Sequence, residues 1–316
     1  MEHDHTGTTA GPWLYVHIGI PKTGTTALQR QVFPKLAGFD LAMKPRSDLF
    51  RREGTVDPGL FRLVFNRCPE VWRHRGAEIL RDVRPDAVPA RPLLVSEEGM
   101  SSGKSPHHLA AHFALMAPAA REAGYTGVRA ILSIRRQDQW LGSYYAQKSD
   151  RREDASQEDF ERFVDERLDP AQGRYEGESM MLDYAAMLEA ISETLGKANV
   201  LPLVYEDMER HPAQFAQTLC SYLDAADAGQ SIVATLAQGR ENARSGGDDT
   251  WQLRPPARPA GTLAARFARK LERKLADPGT ITMTGELRKR ILEAYEASNR
   301  RFAEISGRDL ARHGYF

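Results

Sequence analysis

Short apolar runs rich in Val, Ile and Leu alternate with amphipathic segments along this chain. Such runs are typical of strands that are buried on both faces of a parallel sheet. The predicted strands are Leu14–Ile18, Pro92–Ser96, Val128–Ile134 and Val200–Tyr205. Apolar positions at helical spacing predict helices at about Thr25–Val32, Trp140–Gln147, Gln157–Arg167, Met180–Leu195, Pro212–Leu223 and Glu286–Ile305. The alternation predicts a three-layer α/β fold, in which helices flank a central parallel sheet.

Three segments depart from this alternation. Residues 40–91 carry few strand signals, residues 148–174 alternate charge sign densely, and residues 238–259 have the composition of a long loop or lid. Because the chain has no internal repeat and no clear linker, we predict a single domain over residues 13–316, with these segments as excursions. The polar residues 1–12 are predicted to form a flexible tail.

The charge balance narrows the range of partners. Forty-three basic residues match forty-three acidic ones, so no overall field attracts nucleic acid or an anionic membrane, and any anion site must be local. No apolar run approaches the roughly 20 residues that span a bilayer, and the N-terminus lacks a signal-peptide pattern. Cys68 and Cys220 alone give no disulfide framework and no metal-cluster spacing. We therefore predict a cytoplasmic protein without a membrane span, whose oligomeric state stays open.

Charged groups follow every predicted strand. The first strand runs into a Lys- and Gly-containing turn, the second into Glu97-Glu98, the third into Arg135-Arg136 and the fourth into Glu206-Asp207. In open parallel sheets, ligands bind beyond the carboxyl ends of the strands. The sequence therefore predicts one polar site at that edge.

The turn after the first strand has the features of a phosphate-binding loop. A strand, a Gly-containing turn and a helix start at Thr25 direct backbone N–H groups and the positive helix end to one place, and Lys22 adds a full charge. The spacing from Gly19 to Gly24 is that of a Walker A loop, but Thr25 stands where that motif has its Lys.

Residues 21–26, Pro-Lys-Thr-Gly-Thr-Thr, resemble the 5′-phosphosulfate loop of sulfotransferases that use 3′-phosphoadenosine 5′-phosphosulfate (PAPS). The family's loop reads Pro-Lys-(Ser/Thr)-Gly-Thr-Thr after its first strand. The resemblance implies the P-loop-kinase-like sulfotransferase fold, PAPS as co-substrate, 3′-phosphoadenosine 5′-phosphate (PAP) as product, and no metal. It also implies that the nucleotide is bound by Lys22, Thr23, Gly24, Thr25 and Thr26.

A second family feature follows the third predicted strand. In these sulfotransferases an Arg at the strand end and a Ser eight residues later bind the 3′-phosphate. Arg135 and Ser143 have that spacing, whereas Arg136 lies seven residues before the serine. An Arg side chain can bind a phosphate through two parallel hydrogen bonds, and a hydroxyl completes the contact.

The base that accepts the acceptor's proton has several candidates. The segment ending in Ser96-Glu97 resembles the strand-plus-Ser-Glu segment of bacterial and carbohydrate sulfotransferases, in which a carboxylate replaces a catalytic His. Glu97 matches best and Glu98 is its neighbour. His107 and His108 are rival bases, because histidine titrates near neutral pH. The Ser-Glu segment favours a saccharide acceptor, although other small molecules stay open.

Two departures from the family pattern affect nucleotide binding. Ala27 replaces a Trp that lies near the adenine in cytosolic sulfotransferases, so Trp251 or Tyr205 is expected to stack on the base instead. The family's C-terminal Arg-Lys-Gly segment is absent as such. Arg244, in the predicted lid, is the candidate replacement for its contact with the 3′-phosphate.

Two other functions stay open at this point. An atypical P-loop small-molecule kinase would need a metal-binding carboxylate at a strand end, and only Glu206-Asp207 offers one. A catalytically inactive nucleotide- or glycan-binding protein would bind the nucleotide without transferring a group from it.

Overall fold

The central sheet of the computed structural model has six parallel strands in the order β3-β2-β4-β1-β5-β6. The structure describes residues 11–43, 55–56, 59–83, 89–101, 105–169, 182–238, 249–255 and 279–316. The strands of the sheet are β1 (Leu14–His17), β2 (Asp40–Met43), β3 (Thr55–Val56), β4 (Leu93–Ser96), β5 (Val128–Ile134) and β6 (Val200–Val204).

All four strands predicted from apolar runs are present, with ends shifted by at most one residue. The two unpredicted strands, β2 and β3, lie inside residues 40–91, which were predicted to be an excursion. β2 has only four residues, begins with Asp and contains no β-branched side chain. Its place in the sheet comes from pairing with β4, a contact that local propensity does not reveal.

Helices cover both faces of the sheet. They are α1 (Thr25–Ala27, continued by a π-helical turn, Leu28–Val32), α2 (Gly59–Phe65), α3 (Val71–Asp82), α4 (Pro106–Glu122), α5 (Gln137–Lys148), α6 (Gln157–Leu168), α7 (Tyr184–Leu195), α8 (Tyr205–Arg210), α9 (Pro212–Leu223), α10 (Gly229–Ala237) and α11 (Gly285–Ser306). The six predicted helices correspond to α1, α5, α6, α7, α9 and α11. None of the described helices is long and apolar enough to cross a membrane.

Side chains of each strand alternate between two apolar cores, as the pleat requires. In β1, Leu14 and Val16 belong to the core under α3, α4, α7 and α11, whereas Tyr15 belongs to the core under α1, α9 and α10. The three-layer α/β fold that the alternation predicted is therefore the observed one.

A short antiparallel ribbon lies outside the main sheet. It pairs β7 (Thr250–Gln252) with β8 (Thr280–Thr282), and Trp251 stands opposite Ile281. Residues 238–259 were predicted to form a long loop, but part of this range is the strand β7. The side chain of Trp251 packs into the core and holds the strand in place. Arg244 and the predicted tail up to residue 10 lie outside the described residues.

Candidate active site

The carboxyl ends of neighbouring strands meet at one edge of the sheet. β1 runs parallel between β4 and β5 and continues into the loop of residues 19–24, while Glu97 follows β4 and Arg135 follows β5. Glu206, which follows β6, lies at the same edge, because its carboxylate accepts a hydrogen bond from the amide of Arg136 at 3.0 Å. The predicted convergence of charged groups on one edge is confirmed.

The loop after β1 has a left-handed backbone at two positions. Lys22 has a φ of 71° and Gly24 a φ of 83°. A Cβ atom at Gly24 would lie 2.7 Å from Met208 Cε and 2.9 Å from Tyr205 Cδ2, so both its conformation and its neighbours require glycine. Lys22 thus has a backbone conformation that is uncommon for a residue with a Cβ atom.

Two side chains that follow β5 donate hydrogen bonds to backbone carbonyls of this loop. Trp140 Nε1 donates to the carbonyl of Pro21 at 2.6 Å, and Arg135 Nη1 donates to the carbonyl of Lys22 at 3.0 Å. These bonds fix the loop to the start of α5. They also bring Arg135 and Lys22, which are 113 residues apart in sequence, into direct contact.

The three threonines of the motif have different environments. Thr23 Oγ1 donates to the carbonyl of Ile20 at 2.6 Å and thereby closes the turn. Thr25 is buried, and its hydroxyl has no hydrogen-bond partner among the described residues. Thr26 is exposed. Gly24 is the N-cap of α1 and cannot cap it with a side chain, so the first N–H groups of the helix point into the loop.

The two arginines after β5 have separate roles in the structure. Arg135 lies with its guanidinium 4.5 Å from the ring centre of Tyr205, and its buried Nε has no hydrogen-bond partner among the described residues. Its carbonyl accepts a 2.6 Å bond from the hydroxyl of Tyr184. Arg136 instead forms a 2.7 Å ion pair with the fully buried Asp138. Arg135 is therefore the arginine that faces the loop.

Ser143 is buried within α5, about two turns after Arg135. No hydrogen bond joins the two side chains within the described part of the chain. The neighbouring Gly142 packs against Trp251, whose ring atoms would lie 2.6 Å from a Cβ there. Of the two aromatic residues expected at the adenine, Trp251 is thus a core residue beside Ser143, and Tyr205 lies at the loop itself.

Glu97 stands at the end of β4, where a short 3-10 helix begins. Its Oε1 accepts the amide of Gly99 at 2.9 Å, and its own amide donates to the carbonyl of His17 on β1 at 3.4 Å. Only 1% of the residue is exposed, whereas Glu98 is half-buried. Glu97 is therefore held against the start of the phosphate loop on the side opposite Arg135.

The rival histidines lie on α4. His107 is exposed in its first turn. His108 contacts the carbonyl of Phe65 and Nε2 of His112, each at 3.1 Å. Through these contacts, the ring of His108 takes part in the packing of α4 against α2.

The carboxylates after β6 bind groups of the same chain. Glu206 accepts the hydroxyl of Tyr315 at 2.9 Å, in addition to the amide of Arg136, and burial raises the pKa of Glu206. Asp207 forms an ion pair with Arg312 and a 2.6 Å hydrogen bond with Nε2 of His313. Among the described residues, no group of three possible ligands could hold a metal ion. Glu206 and Asp207 thus anchor the C-terminal segment.

A buried polar cluster beneath the loop was not predicted. His17, which is fully buried at the end of β1, places Nδ1 2.8 Å from Ser96 Oγ and Nε2 3.0 Å from Ser133 Oγ. Gln29 Nε2 donates to the carbonyl and the hydroxyl of Ser96, at 2.9 Å and 3.0 Å. The sequence signal was available, since each of these polar side chains except Gln29 interrupts an apolar strand. Burial lowers the pKa of His17 to about 3, so the ring is neutral.

This pKa predicts a specific loss of stability in acid. Unfolding returns His17 to its ordinary pKa of 6.5, so the unfolded chain binds the extra proton between pH 6.5 and about 3. The stability contributed by the neutral ring is complete above pH 6.5 and falls as the pH falls toward 3. When the pH is lowered from about 6.5 to about 4.5, the free energy of unfolding of the wild type should fall by about 2 kcal/mol more than that of His17→Phe. Urea unfolding at both pH values measures this difference, and equal losses would contradict a neutral His17.

The chain resembles known proteins in sequence and in fold. The family model for the sulfotransferase domain matches residues 16–240 of the 316. Comparison with curated proteins gives no match. A sulfotransferase from Alicyclobacillus acidocaldarius has a similar fold, with a TM-score of 0.53 and 15% identity over 96% of this chain and 99% of that chain.

Two further structures are more distant. A mouse sulfotransferase complexed with PAP matches with a TM-score of 0.40 and 14% identity, over 72% of this chain and 63% of that chain. The sulfotransferase domain of an olefin synthase from Synechococcus PCC 7002 matches with a TM-score of 0.38 and 15% identity, over 76% of this chain and 93% of that chain.

Proposed function

The chain belongs to the sulfotransferase family, and from this premise we propose that it transfers the sulfuryl group of PAPS to a hydroxyl or amine of a saccharide or another small molecule. The observation that carries the proposal is the contact of Arg135 with the carbonyl of Lys22. It joins the candidate ligands of the two ends of the nucleotide, the 5′-phosphosulfate and the 3′-phosphate, into one site.

The residues present fit a nucleotide that carries anionic groups at its 5′ and 3′ positions. Thr25 Oγ1 and Arg135 Nε are buried hydrogen-bonding groups without a partner among the described residues. Leaving such a group unpaired costs about 1–3 kcal/mol, which a bound oxyanion would offset. With the open N-terminus of α1 between them, these groups would bind phosphate or sulfate oxygens.

The proposed reaction is an in-line displacement at sulfur. A bond forms between the acceptor oxygen or nitrogen and sulfur, the bond from sulfur to the 5′-phosphate oxygen breaks, and PAP leaves. Lys22 would stabilise the charge that grows on that phosphate oxygen. Glu97 would take the proton of the acceptor. The proposal is supported by the two residues following adjacent parallel strands, β1 and β4.

The saccharide acceptor is supported by the Ser96-Glu97 segment, which resembles that of carbohydrate sulfotransferases. The kinase alternative is disfavoured, because Glu206 and Asp207 are bound to Tyr315 and to Arg312. An inactive binding protein would show nucleotide affinity without transfer from labelled PAPS to pooled acceptors.

A comparison of two nucleotides tests the proposal. Since Arg135 and Ser143 are assigned to the 3′-phosphate, the protein should bind PAP at least about tenfold more tightly than AMP, as expected for a charge-assisted hydrogen bond of about 1.5–3 kcal/mol. Titration calorimetry measures both affinities. Ser143→Ala should weaken PAP binding and leave AMP binding unchanged. Equal affinities for PAP and AMP, or a preference for ATP, would favour the kinase.

A further inference from the structure

The imidazole of His17 lies near the carboxyl ends of three neighbouring strands, β4, β1 and β5. It contacts Ser96 on β4 and Ser133 on β5 while belonging to β1 itself. Each contact lies just before a group of the proposed site. Ser96 immediately precedes Glu97, and Ser133 precedes Arg135 by two residues. The ring therefore bridges the strands that carry the candidate base and the candidate 3′-phosphate anchor.

The same ring supports the beginning of the phosphate loop. A Cβ atom at Gly19 would lie 2.6 Å from His17 Cε1 and 2.8 Å from its Nε2, so the loop backbone rests directly on the edge of the imidazole. The helix after the loop is tied to the same cluster through Gln29, which donates to Ser96. The start of the loop therefore contacts His17, and the helical segment after the loop is bonded to Ser96, the hydrogen-bond partner of His17.

Imidazole suits this position because of its two nitrogens. In either neutral tautomer one nitrogen donates and the other accepts, so both serine hydroxyls remain paired with the ring. The edge-to-face contact with Phe33, at 5.3 Å between ring centres, fixes the ring plane. A phenyl ring would fill the same space and keep this contact, but it would remove both hydrogen bonds.

We propose that His17 is a positioning residue, which sets the spacing between the phosphate loop, Glu97 and Arg135. The proposal rests on the proposed function, because it assigns to His17 the alignment of groups used in sulfuryl transfer. His17 contacts neither the nucleotide nor the acceptor in this role. It acts through Gly19, Ser96 and Ser133.

His17→Phe tests the proposal against a matched control, His112→Phe. His112 is also fully buried and hydrogen-bonded, accepting from Trp72 Nε1 at 2.9 Å, but it lies in α4 among core aromatic rings. Both variants should lose thermal stability. Only His17→Phe should also lower PAP affinity by about tenfold and kcat by about tenfold or more, since misplaced reacting groups slow the chemical step.

A second readout needs no nucleotide. In the ligand-free protein, amide hydrogen exchange of residues 19–27 should be faster in His17→Phe than in the wild type by about tenfold, relative to the amides of α11. His112→Phe should leave that ratio unchanged. If the wild type binds no PAP, the proposed function fails, whereas the exchange ratio still tests whether His17 holds the loop.

Single-hydroxyl variants keep the proposal falsifiable if His17→Phe does not fold. Ser96→Ala should lower kcat more than PAP affinity, because Ser96 adjoins Glu97. Ser133→Ala should reduce the preference for PAP over AMP, because Ser133 precedes Arg135. Wild-type kcat, PAP preference and loop exchange in these variants would overturn the proposal and leave His17 as a core residue.

Discussion

Replacing Lys22 with alanine is expected to lower sulfuryl transfer by more than tenfold. Lys22 belongs to the turn between β1 and α1, and its own backbone carbonyl accepts a hydrogen bond from Arg135. A cation there would stabilise the negative charge that develops on the leaving phosphate oxygen, and that interaction strengthens in the transition state. Alanine keeps a Cβ atom at the left-handed φ of 71°, so the variant removes the charge without relieving the backbone.

Transfer from labelled PAPS under saturating conditions measures the effect of Lys22→Ala. Lys35→Ala is the matched control, since it removes an exposed lysine from the 3-10 turn Phe33–Lys35, which directly follows the π-helical turn after α1. The control should keep the wild-type rate. A wild-type rate in Lys22→Ala would remove the phosphate loop from the mechanism, and an equal loss in both variants would show that the effect is not specific to Lys22.

The framework of the fold follows from local sequence, because its central strands are apolar on both faces. β1, β4, β5 and β6 could each be located from a run of Val, Ile and Leu, and their parallel order placed the charged groups after them on one edge. β2 and β3 lack such runs, and pairing with neighbouring strands stabilises them. Periodicity within one segment does not reveal that kind of stabilisation.

The candidate site could be located from the sequence, but its internal contacts could not. The loop motif and the Arg135–Ser143 spacing are short-range signals. The bonds that shape the site join distant positions, as Arg135 does with Lys22 and His17 with Ser133. A polar residue inside an apolar strand indicates a buried partner without identifying it, which explains why His17 was missed.

Glu97→Gln is expected to lower kcat by about 10²–10⁴, the contribution of a positioned general base. The observation behind this hypothesis is that Glu97 follows β4, the strand paired with the one that leads into the phosphate loop. Glutamine has nearly the same shape, and its amide oxygen can still accept the bond from the Gly99 amide. The short 3-10 helix should therefore remain, so the variant separates basicity from structure.

Three measurements on Glu97→Gln distinguish the possible roles of this carboxylate. As a base, it should change kcat while PAP affinity and thermal stability stay near wild type. Glu98→Gln and His107→Ala should change kcat much less, since Glu98 is half-buried at the rim and His107 is exposed on α4. An active Glu97→Gln beside an inactive variant at either other position would transfer the role of base to that residue. Loss of PAP binding in Glu97→Gln would instead make the carboxylate a structural support of the loop, consistent with the hydrogen bond that it accepts from the amide of Gly99.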